Sequence, residues 1–169
     1  MQANAEKPNK ENLTLAERVG EVAIIASLLF LFGFFWLHQS TNTGFFTAGF
    51  GTLARVCLYG PIVIALVAPA VRAVTGRRNP ARLLEAVANT SLGLGTLWLL
   101  ISFPLDFTHL GDVLPTSIRF LLGWVTDGLG RILMILQVIL MPISVAVNIG
   151  WYFTIRKRKA AEPTRPKMP

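Results

Sequence analysis

Four stretches of the chain are apolar on every side, and the charged residues gather between them. They run from about Val22 to His38, Leu53 to Val74, Ala86 to Phe103 and Ile132 to Ile155. A helix needs about 20 apolar residues to cross the hydrocarbon of a bilayer. A spanning strand needs only about 10 and alternates apolar with polar. These runs are longer and do not alternate, so they predict four transmembrane helices, each satisfying its own backbone. The strictly uncharged part of the second run, Val56 to Val71, is short, and Arg55 and Arg72 are placed to snorkel from its two ends.

The basic residues between the runs predict orientation. Thirteen of the sixteen lysines and arginines fall in the N-terminal segment, the second connection and the C-terminal tail. Only Arg55, Arg119 and Arg131 fall on the other side. The positive-inside rule then places both termini in the cytoplasm of a multi-pass cell-membrane protein. Cleavage of the first span as a signal peptide is not expected. Glu6, Glu11, Glu17 and Glu21 offset the basic residues before it, and no A-x-A site follows.

Composition changes little. Charged residues make up 15% of the 169, against about 25% in a soluble domain. The net charge of +7 would suggest nucleic acid in a soluble protein, but here the cations flank apolar runs, and no nucleic-acid partner is expected. Cys57 is the single cysteine, so an intrachain disulfide is excluded.

The expected organisation is a polar tail over residues 1–12, a four-helix transmembrane domain over 13–158 and a basic tail over 159–169, both tails disordered. Thr14 with Glu17 has the spacing of a capping box ahead of the first span. In the last outer loop, the run Thr116–Val125 is too short to cross and reads as an interfacial or re-entrant helix.

The two halves resemble each other. Arg18, Glu21, Ser27 and Leu28 recur as Arg82, Glu85, Ser91 and Leu92, so each half opens with R-x-x-E before an apolar run. Within each motif the two charges are spaced to pair on one helix face. Gly44–Gly51 and Gly123–Gly130 share a glycine-aromatic-x-Thr-x-Gly-apolar-Gly pattern. The pattern reads as two tandem hairpins in parallel repeat.

Candidate chemistry is sparse. Asn89, Gln137 and Asn148 lie within spans and form a possible polar cavity, or bond between helices. His38, Asp106, His109 and Asp112 form a possible outer-face site, with haem or metal ligation as the chemistry to weigh, although no ligand-spacing motif is present. Arg77, Arg78, Arg156, Lys157, Arg158 and Lys159 are placed to contact anionic lipid headgroups. Pro61 and Pro142 occupy similar places in the two halves and can kink their helices. No catalytic residue, cofactor or metal is expected. The sequence favours a non-catalytic scaffold or accessory subunit, a homo-oligomer or part of a larger membrane complex. The alternatives are a small oligomeric channel or transporter, and a membrane enzyme or haem-binding subunit using His38 and His109.

Overall fold

The computed structural model describes residues 12–161, with side chains from 12 to 157. Expectations for residues 1–11 and 162–169, and for the side chains of Arg158 and Lys159, lie outside the described residues, while residues 159–161, expected to be disordered, continue the last helix. The described chain is helical, and four stretches are long and apolar enough to cross a membrane: Leu15–Thr41, Thr52–Thr75, Asn79–Ser102 and Asp127–Lys157. They overlap the four apolar runs and extend beyond them into polar ends.

Helix α1 (Leu15–Thr41) opens on the capping box. Thr14 Oγ1 accepts from the Glu17 amide at 3.3 Å, and the Thr14 amide donates to the Glu17 carboxylate at 2.9 Å. Two donors that a helix start leaves free are thereby occupied.

The second span is broken into α2 (Thr52–Ala65) and α3 (Val67–Thr75). The break has a cause in Pro69. A proline ring clashes with the carbonyl four residues earlier, here Ala65, and lacks the N–H that would bond it. The helix tightens at that point, and the Leu66 amide turns back to Val63 and Ile64.

Helix α4 (Asn79–Ser102) starts with Pro80 in its first turn, where a missing N–H costs nothing. Helix α5 (Asp127–Ala161) continues through Pro142 to the end of the described chain.

Helix α4 is the centre of the assembly. It packs against α5 on one side and against α2 and α3 on the other. Among the described helices, α1 lies against α2 and α3, while α5 lies against α4 and meets the short turn Phe107–His109. The bundle is therefore open, with a gap between α1 and the α4–α5 pair.

In lipid, apolar burial does not drive helices together, so contact depends on close backbone approach. Gly93 and Gly95 provide it on two sides of α4. A Cβ at Gly93 would lie 2.3 Å from Cγ of Met141 on α5, and one at Gly95 would lie 2.3 Å from the Cys57 carbonyl oxygen on α2. That carbonyl sits four residues before Pro61, which removes its helical donor. Gly95 offers it a weak Cα–H donor instead.

The two ends of the bundle are built differently. At the first, the Leu13 amide bonds the Gly76 carbonyl at 2.8 Å and the Arg82 guanidinium lies 5.7 Å from the Trp151 ring centroid. This is the arginine end. At the other, the loop end, Phe46 pairs with Leu105 in an isolated antiparallel bridge, and the Asp106 amide donates to the Phe45 carbonyl at 2.8 Å. Phe45, Phe50, Ala54, Leu99 and Leu105 form a buried cluster there.

The last loop departs from expectation. Thr116–Val125 forms turns with one 3-10 segment, Arg119–Leu121, in place of a ten-residue helix. Arg119 folds back, and its guanidinium donates to the carbonyls of Leu114 and Asp112. Those bonds hold the loop compact without a continuous helical ladder.

Candidate functional site

At the arginine end, the sequence predicts that each R-x-x-E motif pairs internally. The structure pairs them otherwise. Arg72 of α3 takes both glutamates: its Nε lies 2.8 Å from Glu21 Oε1, and its Nη1 donates to Glu85 Oε2 at 3.1 Å. The reason is position. Arg72 lies between α1 and α4, whereas Arg18 is drawn over Gly76 and Arg82 over Trp151. Arg78 pairs with Glu17. Together with Leu13, Gly20 and Ile24 these groups line a pocket of about 370 Å³. Within it, Arg82 forms no ion pair among the described residues, and its Nε is buried without a hydrogen-bond partner.

At the loop end lies a larger cavity of about 580 Å³. Phe30, Leu31, Phe34 and Phe35 of α1 form one wall, Thr96 and Leu99 of α4 the back, and Met134 of α5 the opposite edge. Leu110, Leu114, Ile118, Leu121 and Leu122 of the last loop close its far end. Thr96 is the one polar residue in the lining.

His38, beside this cavity, is almost fully buried. Its Nε2 is 3.1 Å from the Leu110 carbonyl and its Nδ1 2.5 Å from Thr43 Oγ1. A carbonyl only accepts, so Nε2 carries the proton and Nδ1 accepts from the threonine hydroxyl. Both ring nitrogens are thus engaged inside the protein, and the side chain ties α1 to the last loop.

The other outer-face candidates group without His38. His109 Nδ1 lies 2.7 Å from Asp112 Oδ2, His109 Nε2 lies 3.9 Å from Asp106, and Arg119 lies 3.3 Å from Asp112. The hydrogen bond that His109 donates to Asp112, helped by the charge of Asp106, raises the His109 pKa above its ordinary value. The same bond and Arg119 lower that of Asp112. Asp106 Oδ1 caps the turn by accepting from the Thr108 amide. Among the described residues no group of three or more histidine, cysteine or acidic side chains is placed to hold a metal.

The three intramembrane amides are spread along the α4–α5 seam. Gly93 and Met141 fix the register of these antiparallel helices. Asn89 is four residues from Gly93 toward the arginine end, and Gln137 four from Met141 toward the loop end. They are therefore about 12 Å apart in level. Asn148 bonds the Ser144 carbonyl of its own helix. None of the three lines the pocket or the cavity. Of the candidate headgroup contacts, Arg77, Arg156 and Lys157 are exposed at the arginine end and Arg78 is engaged with Glu17.

Sequence reasoning missed Arg72 as the shared partner, and missed the groove. A signal for the groove exists on α4. Arg82, Glu85, Asn89, Leu92, Thr96 and Leu99 fall on one helical face at heptad-like spacing, and that face grades from charged to apolar.

Comparison with models of known protein families, with curated proteins and with solved structures found no match for this chain.

Proposed function

We propose that this chain is a non-catalytic membrane subunit, completed by a partner laid against the outward face of α5. The observation that carries this reading is the one-sided packing of α5, which among the described helices lies against α4 alone. Ala146 and Gly150 lie in a shallow depression with Val147, Thr154 and Trp151, the last reached by Arg82 from α4. Among the described residues, nothing outside its own helix comes within 4 Å of a Cβ built on Gly150. Small residues at that spacing suit close approach by another helix.

Orientation is part of the proposal. The arginine end is cytoplasmic in a cell membrane, because thirteen basic residues gather at that side of the sequence. The two hairpins descend from a tandem repeat. Support comes from Glu21 and Glu85, equivalent residues of the two halves, which meet on one arginine.

A channel or transporter needs a polar path, and the separation of Asn89 from Gln137 gives that alternative little support. Haem ligation by His38 and His109 would require His38 to give up the hydrogen bond of whichever ring nitrogen met the iron. Native mass spectrometry of protein extracted gently from its own membrane tests the main reading. A complex, with itself or with other subunits, that dissociates on Gly150→Phe is the expected result. A monomer under all conditions, or a complex indifferent to Gly150→Phe, would sink it.

A further inference from the structure

We propose that the gap between α1 and α4 holds one acyl chain of an anionic phospholipid, with its phosphate at Arg82 and its tail in the loop-end cavity. The charged pocket and the apolar cavity are two parts of one strip. Glu17, Glu21, Ile24, Leu31 and Phe35 share a face of α1, and Arg82, Glu85, Thr96 and Leu99 share a face of α4. Helices α1 and α4 do not touch, so the strip lies in an open cleft. From Arg82 to Leu99 is seventeen residues along α4, about 25 Å of helix. Polarity changes once along that length, from ionic to hydrocarbon, as it does along a phospholipid.

Two observations choose the lipid over a protein. The last loop closes the cavity at its far end, so a partner helix, about 10 Å wide, could not pass out of the membrane there. A spanning helix also occupies roughly 2,000 Å³, against a cavity of about 580 Å³. An acyl chain needs no exit. The charges of the mouth specify the headgroup. Arg72 and Arg78 are ion-paired with glutamates, whereas Arg82 has no carboxylate partner among the described residues; the Nε atoms of both Arg72 and Arg82 are buried without a hydrogen-bond partner. A phosphate diester would be the anion that pairs with Arg82, which no carboxylate of the pocket does.

The test is native mass spectrometry of the full chain in detergent, titrated with palmitoyl-oleoyl phosphatidylglycerol or the corresponding phosphatidylcholine. One phosphatidylglycerol should be retained at collision energies that strip the rest, with a preference over phosphatidylcholine of about fivefold or more, the scale of one basic contact. Arg82→Gln should abolish the preference while a lipid is still retained. Leu31→Trp, which fills the cavity from α1, should abolish retention of either lipid. Leu94→Trp, on an exposed face of α4 outside the cavity, should retain the lipid and controls for the added bulk. Retention unchanged by Leu31→Trp, or lost equally in Leu94→Trp, overturns the proposal. So does a headgroup preference that survives Arg82→Gln. These readouts concern lipid adducts on each chain, so they fail or succeed independently of any partner on α5.

Discussion

The two ends of this bundle solve one problem with different chemistry. Lipid supplies no hydrophobic drive between helices, so something at each end must hold the open row of helices in register. At the arginine end, that role falls to ion pairs from α3 to α1 and α4 through a single residue, Arg72. At the loop end, it falls to backbone bridges, stacked aromatic rings and a buried histidine. Phe46 and Phe50 stack there at 3.9 Å between ring centroids, and Phe35 stacks on Phe45 at 5.8 Å. The contrast teaches that the charged end concentrates two of its three ion pairs on one residue, whereas the aromatic end distributes its contacts. A single substitution should therefore do most harm at the arginine end.

The largest effect is expected from Arg72→Met. Glu21 would lose its cation while 87% of its side chain stays covered, since only 13% is exposed. Removing one partner of a buried pair costs about 3–5 kcal/mol, and the more exposed Glu85 places this case near 3 kcal/mol. Thermal unfolding in nanodiscs measures it. Adding Glu21→Gln to Arg72→Met should recover most of the loss, because the stranded charge is then gone. A neutral Arg72→Met would mean that the arginine end is held by something else.

His38→Ala should come next, at roughly 2–3 kcal/mol from two lost hydrogen bonds and the space vacated by a buried ring. The distributed contacts of the loop end predict that the helices stay assembled while the last loop loosens. Hydrogen exchange should rise at Leu110–Leu122 and stay unchanged at Gly93 and Gly95. Exchange rising throughout α4 would erase the contrast between the ends.

How far each end was legible in the sequence follows the same division. The four spans and the capping box were readable, because they depend on local periodicity and on neighbours three residues apart. The R-x-x-E motifs were readable as motifs, but their partner was not. Glu21 and Glu85 lie 51 and 13 residues from Arg72 in the chain, and only packing brings them to it. His38 and His109 look alike as interfacial histidines. One is buried between α1 and the loop, and the other sits in an exposed ion cluster, a difference set by a loop without periodicity. The same irregularity misled the expectation of a helix at Thr116–Val125, where Arg119 bonds backward to loop carbonyls.

A smaller effect tests the turn that joins α1 to the loop end. Gly44 has φ +97°, and a Cβ there would lie 3.1 Å from the His109 ring. Gly44→Ala combines backbone strain of about 1–2 kcal/mol with a displacement of that ring. The ring is near the surface and has room to move, so the strain should dominate. Restoring stability by adding His109→Ala would instead assign the cost to the contact.

The smallest effect is a pH dependence confined to the loop end. Both histidines of the chain are there, and none is at the arginine end. The His109 pKa is raised above its ordinary 6.5, chiefly by the hydrogen bond to Asp112. A raised histidine contributes its full stabilisation below its unfolded value and loses it as pH rises through the folded value. Asp112 is lowered below 3.8 by the same bond, so its contribution is full above that value and lost as pH falls through the lower folded one. The cluster is therefore strongest between roughly pH 4 and 6.5 and weakens on the alkaline side as His109 deprotonates. An NMR titration of the His109 ring should show a midpoint above 6.5 that moves down in Asp112→Asn. Because both groups are exposed and screened, the change in stability should be smaller than for any substitution above. The ion pairs of Arg72 and Arg78 contain no histidine, so the arginine end should keep its contacts across the His109 midpoint. A change at the arginine end that followed the His109 midpoint would show the two ends to be coupled through the groove rather than independent.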